Sequence, residues 1–291
     1  MKVHYISDLH LDFWIKEMSE SKKMINQIEN FIKNINFSEA DVLIIAGDLG
    51  HYFVQKSVFL KIIKRFYKNI IIVSGNHDRY LVSKKQQKKY SWSSDSRVNE
   101  TKEFCKKIDG LYLLDGEELK IDGVTFAGVG MSWDDSFFNL FKKRNPNNYY
   151  PQVTTLFNNK MNDSKLIMDG YKPYPINYGY GGKELISSFD PFEFFRKEYK
   201  KLQKISSNVD VMISHYGPIV PDDIDENYNN PTTTFYYFDG EYELKRISPQ
   251  KWVFGHTHKN HDFYINETNL ICNPLGYPHE KTNQKIKCFE I

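Results

Sequence analysis

The sequence predicts an α/β fold built on parallel strands, and three observations support that class. Residues 41–50 contain an unbroken apolar run that ends in Gly-Asp, which is typical of a strand buried on both faces. Helical patterns separate this strand from the apolar runs on either side, and a strand–helix–strand order favours parallel pairing with right-handed crossovers. Polar residues directly follow several predicted strands, at the carboxyl ends where open α/β sheets bind ligands.

The first part of the chain alternates between short apolar runs and amphipathic segments. Met24, Ile28 and Ile32, for example, recur on one helical face. Strands are predicted over residues 2–7, 41–46, 70–73, 111–114, 118–121 and 124–129, and helices over 21–35, 55–67 and 98–107. The basic, polar stretch 79–96 is predicted to form a surface loop or a short helix.

Residues 131–190 depart from this rhythm, because periodicity is poor and Asn, Tyr, Phe, Pro and Gly are frequent. Long irregular segments in compact domains are usually binding loops, lids or linkers, and the aromatic content here argues against disorder. The aromatic and glycine positions are Tyr149, Tyr150, Tyr171, Tyr174, Tyr178, Tyr180, Gly181 and Gly182. We therefore predict an inserted cap beside the polar strand ends, partly helical near Val153–Lys160.

The last third returns to alternating elements. A helix is predicted over residues 191–205, strands over 209–213 and 251–254, a loop over 217–242, and a short helix or turn over 240–248. Residues 262–265, 269–272 and 285–291 are predicted to be antiparallel strands that close a second sheet. The chain has no repeat or evident linker, so residues 1–291 are expected to form a single domain with an insert at about 131–190.

Composition argues for a cytoplasmic protein without a membrane partner. The odd set Cys105, Cys272 and Cys288 does not suggest a disulfide framework. The amino terminus has no signal-peptide pattern, and no stretch reaches the roughly 18 apolar residues of a membrane span. Nothing in the sequence specifies an oligomeric state.

A formal net charge of +2 does not indicate a nucleic-acid partner. Basic residues do cluster at Lys84, Lys85, Lys88 and Lys89. Such a run usually forms a solvated face, and contact with phosphate groups is the alternative.

Potential metal ligands follow the predicted strands. They are Asp8, His10, Asp48, Asn76, His215, His256 and His258. If the strands share one sheet edge, these side chains meet at one rim. Oxygen and nitrogen donors without a thiolate suit divalent Mn, Fe, Zn, Ni or Co.

The ordered blocks D-x-H, G-D, G-N-H-D, a lone His and G-H-x-H resemble the calcineurin-like metallophosphoesterase superfamily. The match runs over residues 8–258 and is specific as an ordered set, although each block alone is common. The resemblance implies two packed mixed β-sheets flanked by helices. It also implies hydrolysis of a phosphate mono- or diester.

By the same resemblance, two divalent transition metals share the site. Asp8, His10, Asp48 and His258 would hold the first, and Asp48, Asn76, His215 and His256 the second. Asp48 would bridge the two, and a metal-bridging hydroxide would attack phosphorus. Asp8 and His10 are expected to point the same way by alternation along an extended chain, as are His256 and His258.

The resemblance also assigns His77 as a general acid or charge stabiliser over the substrate, oriented by its acidic neighbour Asp78, which would raise the pKa of His77. The alternative is that His77 only orders its loop. His51 stands where many relatives have Asp or Asn. Two alternatives therefore remain for it, contact with the substrate and simple surface exposure. For Arg79 the choice is between a phosphate contact and a salt bridge.

Three further expectations concern the surroundings of the site. Phe13 and Trp14 are expected to pack beneath it, with a substrate wall as the alternative. Residues 131–190 are expected to shape specificity without supplying metal ligands. Two competing functions stay open: a non-catalytic metal-binding scaffold of the same fold, and a nuclease or nucleic-acid-binding protein.

Overall fold

The computed structural model describes residues 1–170, 189–221, 229–280, 282 and 285–291. Within these ranges two mixed β-sheets pack face to face, and helices cover the outer face of each. The predicted fold class is therefore confirmed. None of the described helices is both long and apolar enough to cross a membrane.

The first sheet has the strand order β11–β1–β2–β3–β4. Its strands are β1 (Lys2–Ile6), β2 (Ala40–Ala46), β3 (Tyr67–Val73), β4 (Leu111–Leu113) and β11 (Lys287–Glu290). Strands β1 to β4 are parallel, and β11 is antiparallel to β1. The carboxyl-terminal strand was predicted in the second sheet, and that prediction is wrong. It covers the free edge of β1 instead, where Phe289 packs on Tyr5 at a ring distance of 5.8 Å.

The second sheet has the order β5–β6–β7–β8–β10–β9. Its strands are β5 (Glu117–Ile121), β6 (Val124–Val129), β7 (Val211–Ser214), β8 (Lys251–Phe254), β9 (His261–Ile265) and β10 (Thr268–Cys272). Strands β6, β7, β8 and β10 are parallel, whereas β5 and β9 pair antiparallel at the two edges. Strand β10 was predicted to be antiparallel to its neighbours. It is antiparallel only to β9 and runs parallel to β8.

The helices are α1 (Leu11–Trp14), α2 (Lys22–Ile35), α3 (Phe53–Ile63), α4 (Lys84–Lys89), α5 (Ser94–Cys105), α6 (Ser136–Arg144), α7 (Val153–Lys160), α8 (Asp163–Leu166), α9 (Pro191–Leu202) and α10 (Glu241–Ile247). Short 3₁₀ turns lie at His77–Arg79 and Pro231–Tyr236. Helix α3 was predicted to reach residue 67, but it ends at Ile63. The reason is that Tyr67 already pairs with Ala40 as the first residue of β3.

The apolar run of β2 contributes side chains to two core layers, one on each face of the sheet. Leu43 and Ile45 belong to the core beneath the helices, whereas Val42, Ile44 and Ala46 belong to the core between the two sheets. Successive side chains of a strand alternate between its faces, so a strand buried on both faces must be apolar at every position. The prediction of a doubly buried strand is confirmed.

The described part of the insert is folded against the body of the protein. Trp133 and Phe157 are almost fully buried in the core outside the second sheet, where both contact Phe235. Helix α7 is confirmed, and α6 and α8 were not predicted. The inserted cap beside the polar strand ends stays a prediction, and residues 171–188, with Tyr171, Tyr174, Tyr178, Tyr180, Gly181 and Gly182, lie outside the described residues.

Candidate metal centre

The predicted donors lie where the two sheets meet. Strands β1, β2 and β3 of the first sheet lead to Asp8, Asp48 and Asn76, and strands β7 and β8 of the second lead to His215 and His256. All five side chains are buried. The donors therefore come from two adjacent sheet edges rather than from the single edge that the sequence suggested.

Most of these residues adopt a left-handed backbone conformation. The φ angles are 53° at Asp8, 42° at His10, 56° at Asp48, 67° at His256 and 51° at His258. The expected alternation along extended segments is therefore wrong. The side chains converge because the chain turns sharply at each strand end, in a conformation that is uncommon for non-glycine residues.

Two glycines make this close approach sterically feasible. A Cβ on Gly75 would lie 2.1 Å from Asp48 Oδ1, and one on Gly47 would lie 2.2 Å from the His215 ring. Gly47 also has a φ of 89°, which glycine adopts without strain. The Gly-Asp and Gly-Asn pairs of the sequence are thus needed for packing as well as for chemistry.

The first group of donors is Asp8, His10 and His258, whose ligand atoms lie within 4.8 Å of one another. The Nε2 atoms of the two imidazoles are 3.1 Å apart, and His258 Nε2 is 3.5 Å from Asp8 Oδ1. Three lone-pair donors thus face one small volume, which is the arrangement that a cation requires.

The second group is Asp48, His215 and His256, also within 4.8 Å of one another. Asp48 Oδ2 lies 3.4 Å from His215 Nε2 and 3.8 Å from His10 Nε2, so this oxygen faces both groups. Asn76 Oδ1 lies 3.1 Å from His215 Nε2 and completes the set.

Two of the histidines have an anchored ring nitrogen that faces away from the site, whereas His10 Nδ1 is buried without a hydrogen-bond partner among the described residues. His215 Nδ1 pairs with the Ala46 carbonyl at 2.9 Å, and His256 Nε2 pairs with the Phe235 carbonyl at 3.1 Å. Metal-bound histidines are held in this way, because the outer hydrogen bond fixes the tautomer and leaves the other nitrogen free as a ligand. The donor set and its anchoring therefore fit divalent metal ions.

Glu280 anchors the third histidine, and no pattern in the sequence indicated this residue. Its Oε2 lies 2.7 Å from His258 Nδ1 and accepts a hydrogen bond of 2.7 Å from the Tyr277 amide. No motif contains Glu280, because its contact with His258 arises from the turn that follows β10.

The protonation of the histidines follows from their neighbours. Burial by itself would lower the pKa of His258, but Asp8 and Glu280 raise it to about 10. His215 is likewise desolvated, and Asp48 raises its pKa to about 9. Burial lowers the pKa of His10 and His256. In the metal-free protein two imidazolium ions thus balance the buried carboxylates at neutral pH.

Asp163 of helix α8 contacts the predicted ligand Asn76, and the sequence did not indicate this residue either. Its Oδ1 accepts a 2.8 Å hydrogen bond from Asn76 Nδ2 and a short one from the Tyr80 hydroxyl. Its Oδ2 accepts one of 3.3 Å from the Tyr216 hydroxyl. Burial raises the pKa of Asp163, although these three donors act in the opposite direction.

His77 lies at the rim of the site, but Asp78 does not orient it, and that prediction is wrong. His77 Nδ1 pairs with His51 Nε2 at 2.9 Å, and the two rings are stacked with an interplanar angle of 4°. Burial, together with the charge of the neighbouring histidines, lowers the pKa of His77 well below its ordinary value. The predicted rise in this pKa is therefore also wrong.

The carboxylate of Asp78 points inward and joins two ligand-bearing turns. It accepts hydrogen bonds from the amides of Leu49 at 3.3 Å, Gly50 at 3.4 Å and Gly75 at 3.0 Å. The buried ammonium of Lys56 lies 3.4 Å from it. Asp78 therefore fixes the turn after β2 relative to the turn after β3.

His51 is the residue that contacts His77, and Asp12 stands behind it. Asp12 Oδ2 lies 2.8 Å from His51 Nδ1, and Asp12 Oδ1 accepts a 2.9 Å hydrogen bond from the His51 amide. Because the carboxylate only accepts, His51 Nδ1 carries a proton, and a second proton lies between His51 Nε2 and His77 Nδ1. Of the two interpretations of His51, simple surface exposure is therefore wrong.

Arg79 forms salt bridges, which was one of the two alternatives for this residue. It is buried, and its guanidinium lies 2.5 Å from Asp95 and 3.5 Å from Glu198. It also lies over the ring of Phe194. These contacts engage the guanidinium of Arg79, so the salt-bridge interpretation is favoured over a phosphate contact.

The two aromatics after the first motif separate. Trp14 packs on the Phe31 ring in the core, as predicted. Phe13 is 46% exposed and lies 4.7 Å from the ring of Tyr277, which itself stacks on His10. Phe13 therefore does not pack beneath the site. Together with Tyr277, it forms an aromatic edge of the site.

Comparison with known proteins gives three results. A family model described as calcineurin-like phosphoesterase matches residues 1–260. Uncharacterized protein L509 of Acanthamoeba polyphaga mimivirus is 26% identical over 293 residues, covering 97% of this chain and 93% of its own. The crystal structure of phosphopantetheinyl hydrolase from Mycobacterium tuberculosis superposes with a TM-score of 0.66 at 15% identity, covering 99% of this chain and 95% of its own. At that identity the structural likeness shows the fold alone.

Proposed function

The chain belongs to the calcineurin-like phosphoesterase family, and on this basis we propose that it is a dinuclear metal-dependent hydrolase of phosphate mono- or diesters. Family membership supports a metal-dependent phosphoesterase in general. The observation that carries the dinuclear proposal is the position of Asp48, whose Oδ2 faces the first donor group through His10 and the second through His215.

In this proposal Asp8, His10, Asp48 and His258 hold one ion, and Asp48, Asn76, His215 and His256 hold the other. Two adjacent divalent ions supply Lewis acidity toward a phosphoryl group and lower the pKa of water. The protein keeps the ligands in place through buried hydrogen bonds to Ala46, Phe235 and Glu280. This fixed geometry avoids reorganisation when charge develops on the phosphoryl oxygens.

His77 is proposed to protonate the leaving oxygen from Nε2, with the proton between the two rings held on His51 Nε2 and passing to His77 Nδ1 as the Nε2 proton leaves. Its Nδ1 is bound to His51, so its Nε2, which lies 3.3 Å from the Tyr277 hydroxyl, is the ring nitrogen left for the substrate. Asp12 and His51 together hold this ring in one orientation. They take over the role that the sequence had given to Asp78.

A nucleic-acid substrate is the second candidate, and helix α4 favours it. Lys84, Lys85 and Lys88 are exposed there, and no ion pair joins them to another described residue. Gln86 of the same helix donates a 2.9 Å hydrogen bond to the His51 carbonyl, which places the helix beside the site. Steeply salt-dependent binding of single-stranded DNA or RNA would support this candidate.

Metal analysis of two variants tests the dinuclear proposal. Asp48→Ala should remove or scramble both ions, whereas Asn76→Ala should weaken mainly the second. After reconstitution, the wild type should hold about two divalent ions per chain by elemental analysis. A folded wild type that binds none and hydrolyses esters unaffected by chelator would contradict the proposal. A wild type that binds metal but hydrolyses nothing would favour the non-catalytic scaffold.

A further inference from the structure

The side-chain amide of Asn76 has two ends of nearly equal size, and only one of them can bind a metal. Its oxygen is a neutral ligand, whereas its NH₂ group is a donor and would repel a cation. A rotation of 180° about the last side-chain bond exchanges the two ends. Something in the protein must therefore select which end faces His215 and Asp48.

The surroundings of the NH₂ group make that selection. Asn76 Nδ2 donates to Asp163 Oδ1 at 2.8 Å and to the Tyr80 hydroxyl oxygen at 3.1 Å. The Tyr80 proton is itself directed at Asp163, so both partners of Nδ2 are acceptors. A rotated amide would point its oxygen at these acceptors and would lose both hydrogen bonds in a buried position, where such losses are costly.

Asp163 is itself held from several directions. Its side chain is only 1% exposed, and it receives hydrogen bonds from Asn76, Tyr80 and Tyr216. Asn76 and Tyr80 follow β3 of the first sheet, whereas Tyr216 follows β7 of the second. One carboxylate from the insert thus contacts the ligand-bearing segments of both sheets.

We propose that Asp163 is a positioning residue that fixes the amide of Asn76 with its oxygen toward the metal pair. The inference rests on the proposed function, because it takes Asn76 as a metal ligand. It assigns the described part of the insert to the metal centre: helix α8 determines the occupancy of the second ion without binding it. The expectation that the insert acts on specificity alone would then be incomplete.

The first test compares three substitutions of insert residues by metal affinity. Asp163→Ala should weaken binding of the second ion by about 10–100-fold, the usual effect of losing an outer hydrogen-bond partner of a ligand. Asp163→Asn should weaken it less, since an amide oxygen still accepts from Asn76. Asp134→Ala is the matched control, because Asp134 bonds to the amides of Ser136 and Asp239 and to no ligand. Manganese affinity is measured by competition with a chromophoric chelator, and folding by circular dichroism.

The second test exchanges donor and acceptor. Asn76→Asp alone places a second carboxylate against Asp163 and should lower manganese affinity at the second site. Adding Asp163→Asn restores a donor–acceptor pair, so the double variant should bind more tightly than Asn76→Asp alone. A merely structural Asp163 would give no such rescue, because the second substitution would only add damage.

The outcomes separate this proposal from the proposed function. If the wild type binds two manganese ions while Asp163→Ala binds both with wild-type affinity and the double variant shows no rescue, the positioning role is wrong and the dinuclear site stands. If Asp163→Ala does not fold, the comparison of Asn76→Asp with the double variant still decides. If the wild type binds no manganese, the dinuclear proposal itself fails.

Discussion

Each ligand-bearing turn stabilises its neighbour at the level of single residues. The amide of Asp8 donates to the Gly47 carbonyl at 3.1 Å, and the amide of His10 donates to the Asp48 carbonyl at 2.9 Å. A left-handed conformation costs a non-glycine residue roughly 1–3 kcal/mol, so it persists only where the surroundings enforce it. The two turns enforce each other, which explains how the strained residues are held in place.

The raised pKa values of His215 and His258 predict proton release on metal binding. With pKa values of about 9 and about 10, both imidazoles are protonated at pH 7.5 in the metal-free protein. A metal binds only the neutral ring, so binding should release about two protons per chain. Calorimetric titration of chelator-treated protein in buffers of different ionisation enthalpy measures this number.

The same pKa shifts give the sign of a pH effect on stability. A histidine whose pKa is raised by folding stabilises the folded state fully below its unfolded value of about 6.5. That contribution is lost as the pH rises from about 6.5 through the folded-state pKa values of about 9 and about 10. Metal-free protein should therefore lose stability over this range, and Glu280→Gln should reduce the loss. Unchanged urea midpoints between pH 6 and pH 10 would contradict the assignment of two imidazolium ions.

His77→Asn should separate catalysis from metal binding. If His77 protonates the leaving oxygen, alkyl phosphate esters should lose about 10²–10⁴-fold in turnover, and nitrophenyl esters much less, because nitrophenolate departs without a proton. Metal content should be unchanged. His279→Asn is the control, because His279 is exposed and stacks on Tyr277 rather than on a ligand.

Equal losses on both ester classes would show instead that His77 stabilises charge on the phosphoryl group. Loss of metal in the variant would show that His77 is a metal ligand. This check is necessary because His77 also forms a group of potential ligands with His10 and Asp48.

At the scale of elements, the insert divides into a core part and an exposed part. Trp133 is 1% exposed and contacts Phe157 and Phe235, whereas Tyr149 is 92% exposed. Trp133→Ala should therefore destabilise the protein by about 3–5 kcal/mol, the usual cost of removing a large core side chain. Tyr149→Ala should stay within about 0.5 kcal/mol of the wild type. Urea denaturation measures both, and similar midpoints for the two variants would contradict this division.

The sequence predicted most elements because their signals are local. An unbroken apolar run is enough to identify β2, and helical spacing with Ser21 as amino-terminal cap is enough to identify α2. The partner of β11 was missed because strand pairing depends on which edge is free, and no local pattern encodes that. Helix α6 was missed because its exposed residues, including Leu140, weaken its periodicity.

The site was predictable to the extent that its residues stand in motifs. The ligand candidates follow strands in recognisable blocks, and the structure brings them together. Glu280 and Asp163 act through contacts made between distant segments, so spacing along the chain carries no sign of them. The position of His51 after Asp48 marked it as a candidate, but its contact with His77 was not predicted. Asp78 shows the converse: adjacency to His77 suggested a contact, but the 3₁₀ turn directs the two side chains apart.

At the scale of the whole molecule, the candidate metal centre lies between the two sheets. Asp8, Asp48 and Asn76 come from one sheet, and His215, His256 and His258 come from the strand ends of the other. The Ser7 amide bonds to the Asn273 carbonyl at 3.0 Å, and His215 Nδ1 pairs with the Ala46 carbonyl, so some cross-links exist without metal. Bound ions would add links across the same boundary.

Metal removal should therefore lower the stability of the entire fold, not only of the site. Ligands that bind only the folded state stabilise it by about 2.7 kcal/mol at 100 times their dissociation constant, which for a protein of this size corresponds to a melting temperature shift on the order of 5 °C. Chelator should produce this drop in the wild type and none in Asp48→Ala. Hydrogen exchange should quicken at residues 47–50 and 255–258, which belong to different sheets, while α9 stays protected. If exchange quickens on one sheet only, the ions do not join the sheets, and the bridging position assigned to Asp48 is wrong.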